Sequence, residues 1–530
     1  MSGDWDYIVV GAGSAGCVVA NRLSGAGHRV LVLEAGGKDN YHWVHIPMGY
    51  LYCIGNPRTD WMYKTAAEPG LNGRQLLYPR GKVLGGCSSI NGMLYLRGQA
   101  ADYDGWRQMG LTGWGWDDVL PYFLKSEDYV DGKSDMHGEG GEWRVEDQRL
   151  HWDILDDWLA AAEAWGLPRT TDFNTGDNEG VGYFRVNQRN GSRMNTAKAF
   201  LRTATGKGLK VETRAHTRRI LFEEGRAVGV EYEQGGEIKT ARAGAEVILS
   251  AGAVNSPQIL QLSGIGPGEH LQSHGVDVVL DAPEVGAHLQ DHLQLRCSWR
   301  LQGAKTLNTL ANSLVGKALI GLEYALKRSG PMSMAPSQLG AFSKSRPDLA
   351  TADLEYHVQP LSLEAFGQPL HDYPAITASV CNLRPESRGS VRLVSADPKA
   401  PPVIAPNYLS TAGDRRVARD AIRQARAIMS QAPMARYAPQ EMKPGPDFAD
   451  DAALDRAAGD IGTTIFHPTC TVRMGGEGAP LDAQMRLRGI GGLRVVDASA
   501  MPAITSGNTN APTIMMAEKA SDMILNRQAV

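Results

Sequence analysis

Three glycines near the N-terminus have the spacing of a phosphate-binding turn. Gly11, Gly13 and Gly16 follow the apolar run 6–10, and a helical pattern begins directly behind them. In such a turn the first glycine permits the tight bend, the second lets a pyrophosphate approach the backbone, and the third lets the helix pack on the strand. Glu34 ends the next apolar run, where a carboxylate accepts ribose hydroxyls and disfavours a 2′-phosphate. These residues predict a dinucleotide site for NAD or FAD rather than NADP.

Composition narrows the class of protein. The chain has 530 residues, of which 42% are hydrophobic, and this length is typical of two or three domains. A net charge of −4 argues against a nucleic-acid partner. The six cysteines are scattered without a CxxC pair, which favours a reduced, cytoplasmic protein over a disulfide scaffold or a metal site. We expect neither a secretory signal nor a transmembrane helix, because no basic leader and no run of about 18 apolar residues is present.

Two helical segments raise questions about the surface. One carries arginines at helical spacing, which we interpret as the solvated face of a helix: Arg416, Arg419, Arg423 and Arg426. The other, 314–326, is short, apolar and mildly amphipathic. We expect this second helix to be packed into the core, and peripheral membrane contact is the alternative that the sequence leaves open.

Four long segments together resemble one family. They are the glycine turn with Glu34 and Ala35, the segment 81–91 (GKVLGGCSSIN), the segment 252–266, and the C-terminal blocks 467–474 and 497–513. In this order they resemble the glucose–methanol–choline (GMC) oxidoreductases, flavoenzymes that oxidise alcohols on FAD. The match spans essentially the whole chain and looks most like the bacterial alcohol and choline dehydrogenases.

The resemblance and the element pattern together predict an α/β fold, α+β overall. A Rossmann-type FAD-binding domain is expected to contain a βαβ unit, beside a substrate-binding domain built on a mixed or antiparallel sheet with helices. The FAD-binding domain is assigned residues 1–150, 195–292 and 456–530, and the substrate-binding domain residues 151–194 and 293–455.

The resemblance implies FAD as the cofactor. We expect it to be non-covalent, because Ile90 stands where some members carry the histidine that links to the flavin. The implied FAD contacts are Gly11, Ala12, Gly13, Ser14, Ala15, Gly16, Glu34, Ala35, Arg80, Gly81, Leu84, Gly85, Gly86, Ser88, Asn91, Gly92, Met93, Leu94, Thr217, Ala251, Gly252, Asp497, Ala498, Asn508, Asn510, Pro512 and Thr513.

His467 and Asn510 occupy the two catalytic positions of the family. Hydride transfer from an alcohol to flavin N5 requires the alcohol oxygen to lose its proton, and a neutral histidine suits that task. His467 is therefore the expected general base, and Asn510 is expected to orient the alcohol oxygen. His292 lies in another family-like segment and is interpreted as structural or near-site packing. Two departures from the family pattern are Cys470, where glycine is usual, and His288, where asparagine is usual.

The expected substrate is a neutral primary alcohol, aliphatic or aryl, which is oxidised to the aldehyde. Four alternatives stay open: choline, with Glu355 or Glu364 as partner of its cation; an NAD-linked dehydrogenase; a non-redox hydroxynitrile lyase of the same family; and a binding flavoprotein without catalysis, which the His467 and Asn510 pair disfavours. The expected electron acceptor is O2 or a quinone or other electron carrier, and the protein is expected to be a monomer or homodimer. Candidate aromatic residues of the substrate pocket are Phe466, Tyr52, Trp61, Tyr356 and Phe366.

Overall fold

The computed structural model describes residues 4–364 and 367–526. The strands are β1 (Trp5–Val10), β2 (Val30–Glu34), β3 (Glu127–Tyr129), β4 (Trp143–Val145), β5 (Gly180–Tyr183), β6 (Gln188–Arg189), β7 (Ser192–Arg193), β8 (Leu209–Thr213), β9 (Ala215–Glu223), β10 (Arg226–Gln234), β11 (Glu237–Leu249), β12 (Ile265–Gly266), β13 (Leu280–Asp281), β14 (Leu293–Arg300), β15 (Leu339–Ser343), β16 (Leu354–Gln359), β17 (Ala375–Asn382), β18 (Ser390–Arg392), β19 (Val403–Ala405), β20 (Gln440–Lys443), β21 (Gly462–Thr464) and β22 (Leu493–Val495). The α-helices are α1 (Ser14–Gly25), α2 (His42–His45), α3 (Tyr50–Cys53), α4 (Ala100–Gln108), α5 (Trp116–Ser126), α6 (Asp153–Trp165), α7 (Gly252–Leu262), α8 (Gly268–Ser273), α9 (Leu307–Ala311), α10 (Leu314–Lys327), α11 (Ala412–Met429), α12 (Ala432–Ala435), α13 (Asp451–Ile461) and α14 (Asn510–Asn526).

The first sheet carries the glycine turn. Its strands run in the order β8-β2-β1-β11-β10-β9, and β22 pairs with β11. The pairs β1-β2, β2-β8, β1-β11 and β11-β22 are parallel, whereas β9, β10 and the first half of β11 form an antiparallel meander. Helix α1 packs on β1 and β2, and α14 packs on α1. The carboxyl ends of the parallel strands therefore meet at one edge, where α/β folds bind their ligands.

The second sheet forms the wall opposite that edge. Its order is β20-β14-β17-β16-β15-β5, with β21 beside β14, and the pairs are antiparallel. Side chains alternate across β14 because successive residues of a strand point to opposite faces. Leu293, Leu295 and Cys297 enter the hydrophobic core beneath the sheet, while the polar residues between them face the other way. This arrangement confirms the predicted pairing of a Rossmann-type unit with an antiparallel sheet.

The strand pairings bear on the assigned domain boundaries without fixing them. The first sheet draws its strands from the N-terminal region, from residues 209–249 and from the C-terminal region. The second sheet draws most of its strands from residues 180–183 and 293–443. Strand β21, which falls within the assigned range 456–530, pairs with β14 of the second sheet. The boundaries stay a prediction.

Two interpretations of surface helices are wrong in part or in whole. Helix α10 is not a core helix, since Tyr324 is its one fully buried side chain. On α11, the arginines are not simply solvated: Arg419 pairs with Asp455 of α13 at 2.9 Å, and Arg426 pairs with Glu441 of β20 at 2.9 Å. Amphipathic spacing identifies the faces of a helix but not what covers them. Among the described residues, no helix is both long and apolar enough to cross a membrane.

Candidate active site

A cavity of about 880 Å³ runs from the glycine turn to His467, between the two sheets. Gly11, Gly13 and Thr217 line one end of it, and His467 and Asn508 line the other. Residues far apart in sequence meet here because the ends of β1, β2, β11 and β22 lie at the same edge of the first sheet.

The glycine turn has the geometry that its spacing predicts. Gly11 has a φ of +100°, and a Cβ atom on it would lie 2.5 Å from the carbonyl oxygen of Ser250. A Cβ atom on Gly16 would lie 1.9 Å from the carbonyl oxygen of Gly11, so only glycine lets α1 pack this closely. At Gly13, by contrast, a Cβ atom would meet nothing nearer than 3.9 Å, so the backbone there is open to the cavity. A phosphate can therefore approach the N-terminus of α1.

Glu34 is held in place at the end of β2. Its carboxylate accepts backbone N–H bonds from Ala12 at 2.9 Å and from Gly36 at 2.7 Å. Burial raises the pKa of Glu34 to about 7, although the two backbone donors favour its charged form. The side chain lines the cavity and is positioned to accept the hydroxyls of a ribose.

Most of the residues implied as FAD contacts line this one cavity. They are Gly11, Gly13, Ser14, Ala15, Glu34, Ala35, Arg80, Gly81, Gly86, Asn91, Gly92, Met93, Leu94, Thr217, Ala251, Gly252, Asp497, Ala498, Asn508, Asn510 and Thr513. Six others do not line it: Ala12, Gly16, Leu84, Gly85, Ser88 and Pro512. Ala12 and Ser88 act from behind the wall, where the first donates to Glu34 and the second donates to the carbonyl of Gly85 at 2.6 Å.

Unsatisfied polar atoms along the cavity fit a large polar ligand. The Thr217 hydroxyl, Asn508 Oδ1 and Asn510 Nδ2 are buried and have no hydrogen-bond partner within the described chain. Buried polar atoms are normally hydrogen-bonded, so these three atoms need partners from a bound molecule. Together with the open backbone at Gly13 and the carboxylate of Glu34, they fit FAD lying along the cavity.

The loop that carries His467 is fastened by one buried carboxylate, Asp291. Asp291 Oδ1 accepts the backbone N–H of His467 at 2.8 Å. Its Oδ2 accepts the hydroxyls of Tyr78 at 2.9 Å, Tyr408 at 2.5 Å and Thr464 at 2.6 Å. The four donors come from three segments of the chain, because Thr464 and His467 share one loop, and together they fix the Asp291 carboxyl group in place.

The loop that carries His467 also has a strained backbone at Phe466 and a hydrogen bond from Arg80. Phe466, directly before His467, has a φ of +72°, a conformation that residues other than glycine rarely adopt. Arg80 Nη2 donates to the Phe466 carbonyl at 2.6 Å, and the Phe466 N–H donates to Thr464 Oγ1 at 2.8 Å. Backbone strain of this kind persists where the surroundings impose it, and it is typical of functional sites.

His292 fixes which nitrogen of His467 carries the proton. His292 Nε2 lies 3.1 Å from the carbonyl oxygen of Leu383, and a carbonyl only accepts, so His292 Nε2 carries a hydrogen. In neutral His292 the other nitrogen, Nδ1, is then an acceptor. It lies 3.1 Å from His467 Nδ1, which must donate to it. His467 Nε2 is therefore the nitrogen that carries the lone pair, and His467 lines the cavity.

Burial keeps both histidines neutral. The pKa of His467 is lowered well below its usual value by desolvation and by the nearby His292, His357 and Arg80. Desolvation also lowers the pKa of His292, which is fully buried. The His467 Nε2 lone pair is thus available as a base at neutral pH. His292 contacts His467 directly, which agrees with its interpretation as structural or near-site packing.

Asn508 rather than Asn510 contacts His467 directly. Asn508 Nδ2 lies 3.1 Å from His467 Nε2 and donates to its lone pair. Asn510, the first residue of α14, lines the same cavity, and its Oδ1 accepts from the Ser14 hydroxyl at 2.7 Å. Its unsatisfied Nδ2 is left to act on a ligand. The structure therefore brings all three side chains to one cavity.

The aromatic candidates for the substrate pocket divide into groups. Phe466 and Tyr52 line the cavity, and Tyr52 stacks on Trp43 with ring centroids 4.0 Å apart. Trp61 also lines the cavity, but it stands beside His216 at the nucleotide end.

Tyr356 is wrong as a pocket residue. It is fully buried in the core, where its hydroxyl donates to Gln424 Oε1 at 2.8 Å, because its face of β16 points away from the cavity. Phe366 lies outside the described residues.

Sequence reasoning missed the polar face of β14. Gln294, Arg296 and Ser298 alternate with the core residues of that strand and line the cavity. No carboxylate of the described chain pairs with Arg296, and desolvation lowers its pKa. The alternation of polar and apolar residues over 293–299 was the available signal, but it does not tell which sheet face meets a ligand.

The two departures from the family pattern sit at left-handed backbone positions. Cys470 has a φ of +71° and His288 a φ of +58°. Glycine and asparagine are the residues that adopt this region most readily, which explains their usual presence there. Cys470 is buried and lies beside Thr469, whereas His288 is near Glu284 at 3.5 Å.

Comparison with known proteins agrees with the site. Two family models, both described as GMC oxidoreductase, match residues 5–294 and 385–517. The chain is 42% identical over 539 aligned residues to an oxygen-dependent choline dehydrogenase of Vibrio vulnificus, covering 100% of this chain and 95% of that one. It is 41% identical to an alcohol dehydrogenase [acceptor] of Pseudomonas putida, covering 99% and 96%.

A solved structure, the pyridoxine 4-oxidase from Mesorbium loti, superposes with a TM-score of 0.90 at 30% identity, covering 99% of each chain. These matches confirm the expected fold, the FAD cofactor and the class of enzyme, an alcohol dehydrogenase or oxidase acting on CH–OH groups. The chain belongs to the GMC oxidoreductase family and is an FAD-dependent oxidoreductase.

Proposed function

We propose that this enzyme oxidises a neutral primary alcohol, aliphatic or aryl, to the aldehyde, with His467 as general base. The observation that carries the proposal is the lone pair of His467 Nε2, which His292 directs into the cavity. The alcohol hydroxyl takes the place of Asn508 Nδ2 at His467 Nε2, which then accepts the hydroxyl proton. Asn510 Nδ2, which has no partner in the described chain, donates the hydrogen bond that orients the alcohol oxygen. FAD, when bound, supplies the acceptor for the hydride.

The charges around the cavity support a substrate without a cation. Of the two carboxylates considered for choline, Glu355 is fully buried outside the cavity and lies 3.0 Å from His357 Nε2. Glu364 pairs with Lys443 at 2.7 Å. Arg296 faces the cavity without an acidic partner in the described chain and would repel a quaternary ammonium group. Its guanidinium can instead donate to a second oxygen of a neutral alcohol.

Apolar side chains complete the wall on the His467 side of the cavity. They are Met48, Leu307, Ile320, Met332, Leu361, Leu363, Ile465 and Phe466. Such a wall stabilises an alkyl or aryl group by removing apolar surface from water. Choline is the second candidate, because a relative with 42% identity carries the name choline dehydrogenase and because Trp43 and Tyr52 form an aromatic stack on the cavity.

A panel of alcohols tests the proposal. Under anaerobic conditions 1-hexanol or benzyl alcohol should bleach the bound flavin and give a higher kcat/KM than choline. A higher value for choline would transfer the proposal to the cationic substrate, and absence of bleaching by every alcohol would favour a lyase. Comparing O2 with a quinone or dye as acceptor then assigns the enzyme as an oxidase or a dehydrogenase.

His467→Ala isolates the base. Loss of a general base typically reduces the rate by about 10²–10⁴-fold, so flavin reduction should slow by at least about 10²-fold while FAD stays bound. We also propose that FAD is held non-covalently, because Ile90 offers no nucleophile to the flavin ring. Acid precipitation should then release all of the yellow colour into the supernatant, and colour in the pellet would contradict this.

A further inference from the structure

Helix α10 exposes an apolar face that no described residue covers. Five of its large apolar side chains are between 55% and 85% exposed: Leu314, Val315, Leu319, Leu322 and Leu326. Ala318 and Ala325 are exposed between them. At 3.6 residues per turn these seven positions form one continuous arc of the helix. A contiguous apolar patch of this kind on a soluble surface marks a site of interaction.

The opposite face of the same helix belongs to the cavity. Ile320 and Lys317 line the cavity, and Tyr324 is buried, with its hydroxyl donating to the carbonyl of Gly191 at 3.0 Å. Ser313 caps the helix by accepting the N–H of Gly316 at 2.9 Å. The helix is therefore a wall of the cavity, and because Lys317 both lines the cavity and is exposed, the cavity opens to solvent beside α10.

An aromatic pair extends the apolar surface around the entrance. Tyr52 is 48% exposed and stacks on Trp43, and both rings line the cavity. The turn 47–49 between them packs against residues 331–333, which in turn pack on α10. Tyrosine and tryptophan are the residues that favour the boundary between lipid and water.

The charges around α10 indicate what kind of surface could cover its apolar face. The segment 305–328 contains four exposed basic residues and one acid, although the whole chain has a net charge of −4. Lys305 precedes α10, Lys327 and Arg328 stand at its C-terminal end, and Lys317 lies on its cavity side. The acid is Glu323, which accepts a hydrogen bond from Ser329. Basic residues flanking an apolar helix face attract anionic lipid headgroups.

The dimensions of the face argue against a second copy of the chain. The helix has 14 residues, so its face measures about 21 Å by about 10 Å, or about 200 Å². A stable protein interface buries roughly 800 Å² on each partner. Contact between two copies through α10 would also bring like charges together, which is unfavourable. Docking on an anionic bilayer does not need an interface of that area and does not bring like charges together. A helix of this length lies in the plane of the bilayer surface, because it is too short to cross the hydrocarbon of about 30 Å.

We propose that α10 docks the enzyme on an anionic lipid bilayer, with the apolar arc in the headgroup region and the entrance of the cavity at the membrane surface. Hydrophobic alcohols that dissolve in the bilayer then reach the cavity along Ile320 without crossing bulk water. This proposal is independent of which alcohol is oxidised.

Flotation of the FAD-loaded enzyme with vesicles tests the docking, and it requires no turnover. We expect the wild type to float with vesicles of phosphatidylcholine and phosphatidylglycerol, and less with phosphatidylcholine alone or at high salt. Leu319→Glu/Leu322→Glu should lower the bound fraction at least about tenfold, because charges then replace two leucines that the docked helix inserts into the bilayer. Lys305→Glu/Lys327→Glu should weaken binding to the anionic vesicles.

Ile238→Glu is the matched control, because Ile238 is 59% exposed on β11, remote in sequence from α10 and outside the cavity lining. It should float as the wild type does, and Leu319→Glu/Leu322→Glu should keep its activity on a water-soluble alcohol. The proposal is overturned if the wild type does not float with anionic vesicles, or if Leu319→Glu/Leu322→Glu floats as well as the control. Failure to float combined with a dimer-to-monomer shift of the leucine variant in gel filtration would assign the face to a second copy instead.

Discussion

Replacing His292 tests whether the rate depends on the tautomer of His467 that His292 selects. In His292→Leu the acceptor for His467 Nδ1–H disappears, and this buried N–H is left unsatisfied. An unsatisfied buried donor costs about 1–3 kcal/mol. The alternative tautomer, with its proton on Nε2, escapes that cost but has no lone pair for the alcohol proton. The fraction of His467 molecules in the tautomer that can accept the alcohol proton at Nε2 should therefore fall by about 5- to 150-fold.

The assay is the rate of anaerobic flavin reduction by a saturating alcohol, together with the FAD content of each variant. His292→Asn is the matched control, because an amide oxygen can occupy the place of His292 Nδ1 and accept the same N–H. We expect His292→Leu to lose about 5- to 150-fold in rate with full FAD content, and His292→Asn to retain most of the wild-type rate. A wild-type rate in His292→Leu, or equal losses in both variants, would refute the tautomer argument.

Three further predictions concern pH and stability. Since burial holds the pKa of His467 well below 6.5, kcat/KM should stay flat from neutral pH to below 6.5. Because the folded protein resists protonation of this histidine, the free energy of unfolding should be highest above the unfolded pKa of about 6.5 and should decrease as the pH falls through the folded pKa; urea unfolding at each pH would detect this decrease. Glu127→Gln leaves the buried Arg97, now 2.8 Å from Glu127, without its counter-charge and should lower the free energy of unfolding by about 3–5 kcal/mol; a loss below about 1 kcal/mol would contradict this. Glu224→Asn creates the favoured Asn-Gly turn between β9 and β10, where Glu224 has a φ of +48°; thermal unfolding should show a gain of about 0.5–1 kcal/mol with unchanged activity.

Local sequence was enough wherever the determining interactions lie close along the chain. The glycine turn was predictable because backbone geometry at Gly11 and Gly16 depends on the strand, turn and helix that directly surround them. His467 and Asn510 were identifiable because they stand in long C-terminal motifs, and their shared cavity follows from the strand ends that carry them. Their catalytic roles stay predictions.

Contacts between distant segments were beyond the sequence. The pairing of His292 with His467 spans 175 residues, and the anchoring of Asp291 joins four segments, so no local spacing announces either. The wrong prediction for Tyr356 has the same cause. The face of β16 that meets the core depends on the neighbouring strands and on α6 and α11, which lie far away in sequence.

Helix α10 shows most clearly what the tertiary structure decided. Its sequence determined a short helix with one broad apolar arc, because that arc follows from residue type and the 3.6-residue period. Whether the arc is covered depends on what packs against it. In the folded protein the cavity takes the opposite, narrower face, so the broad apolar arc is left to the surface.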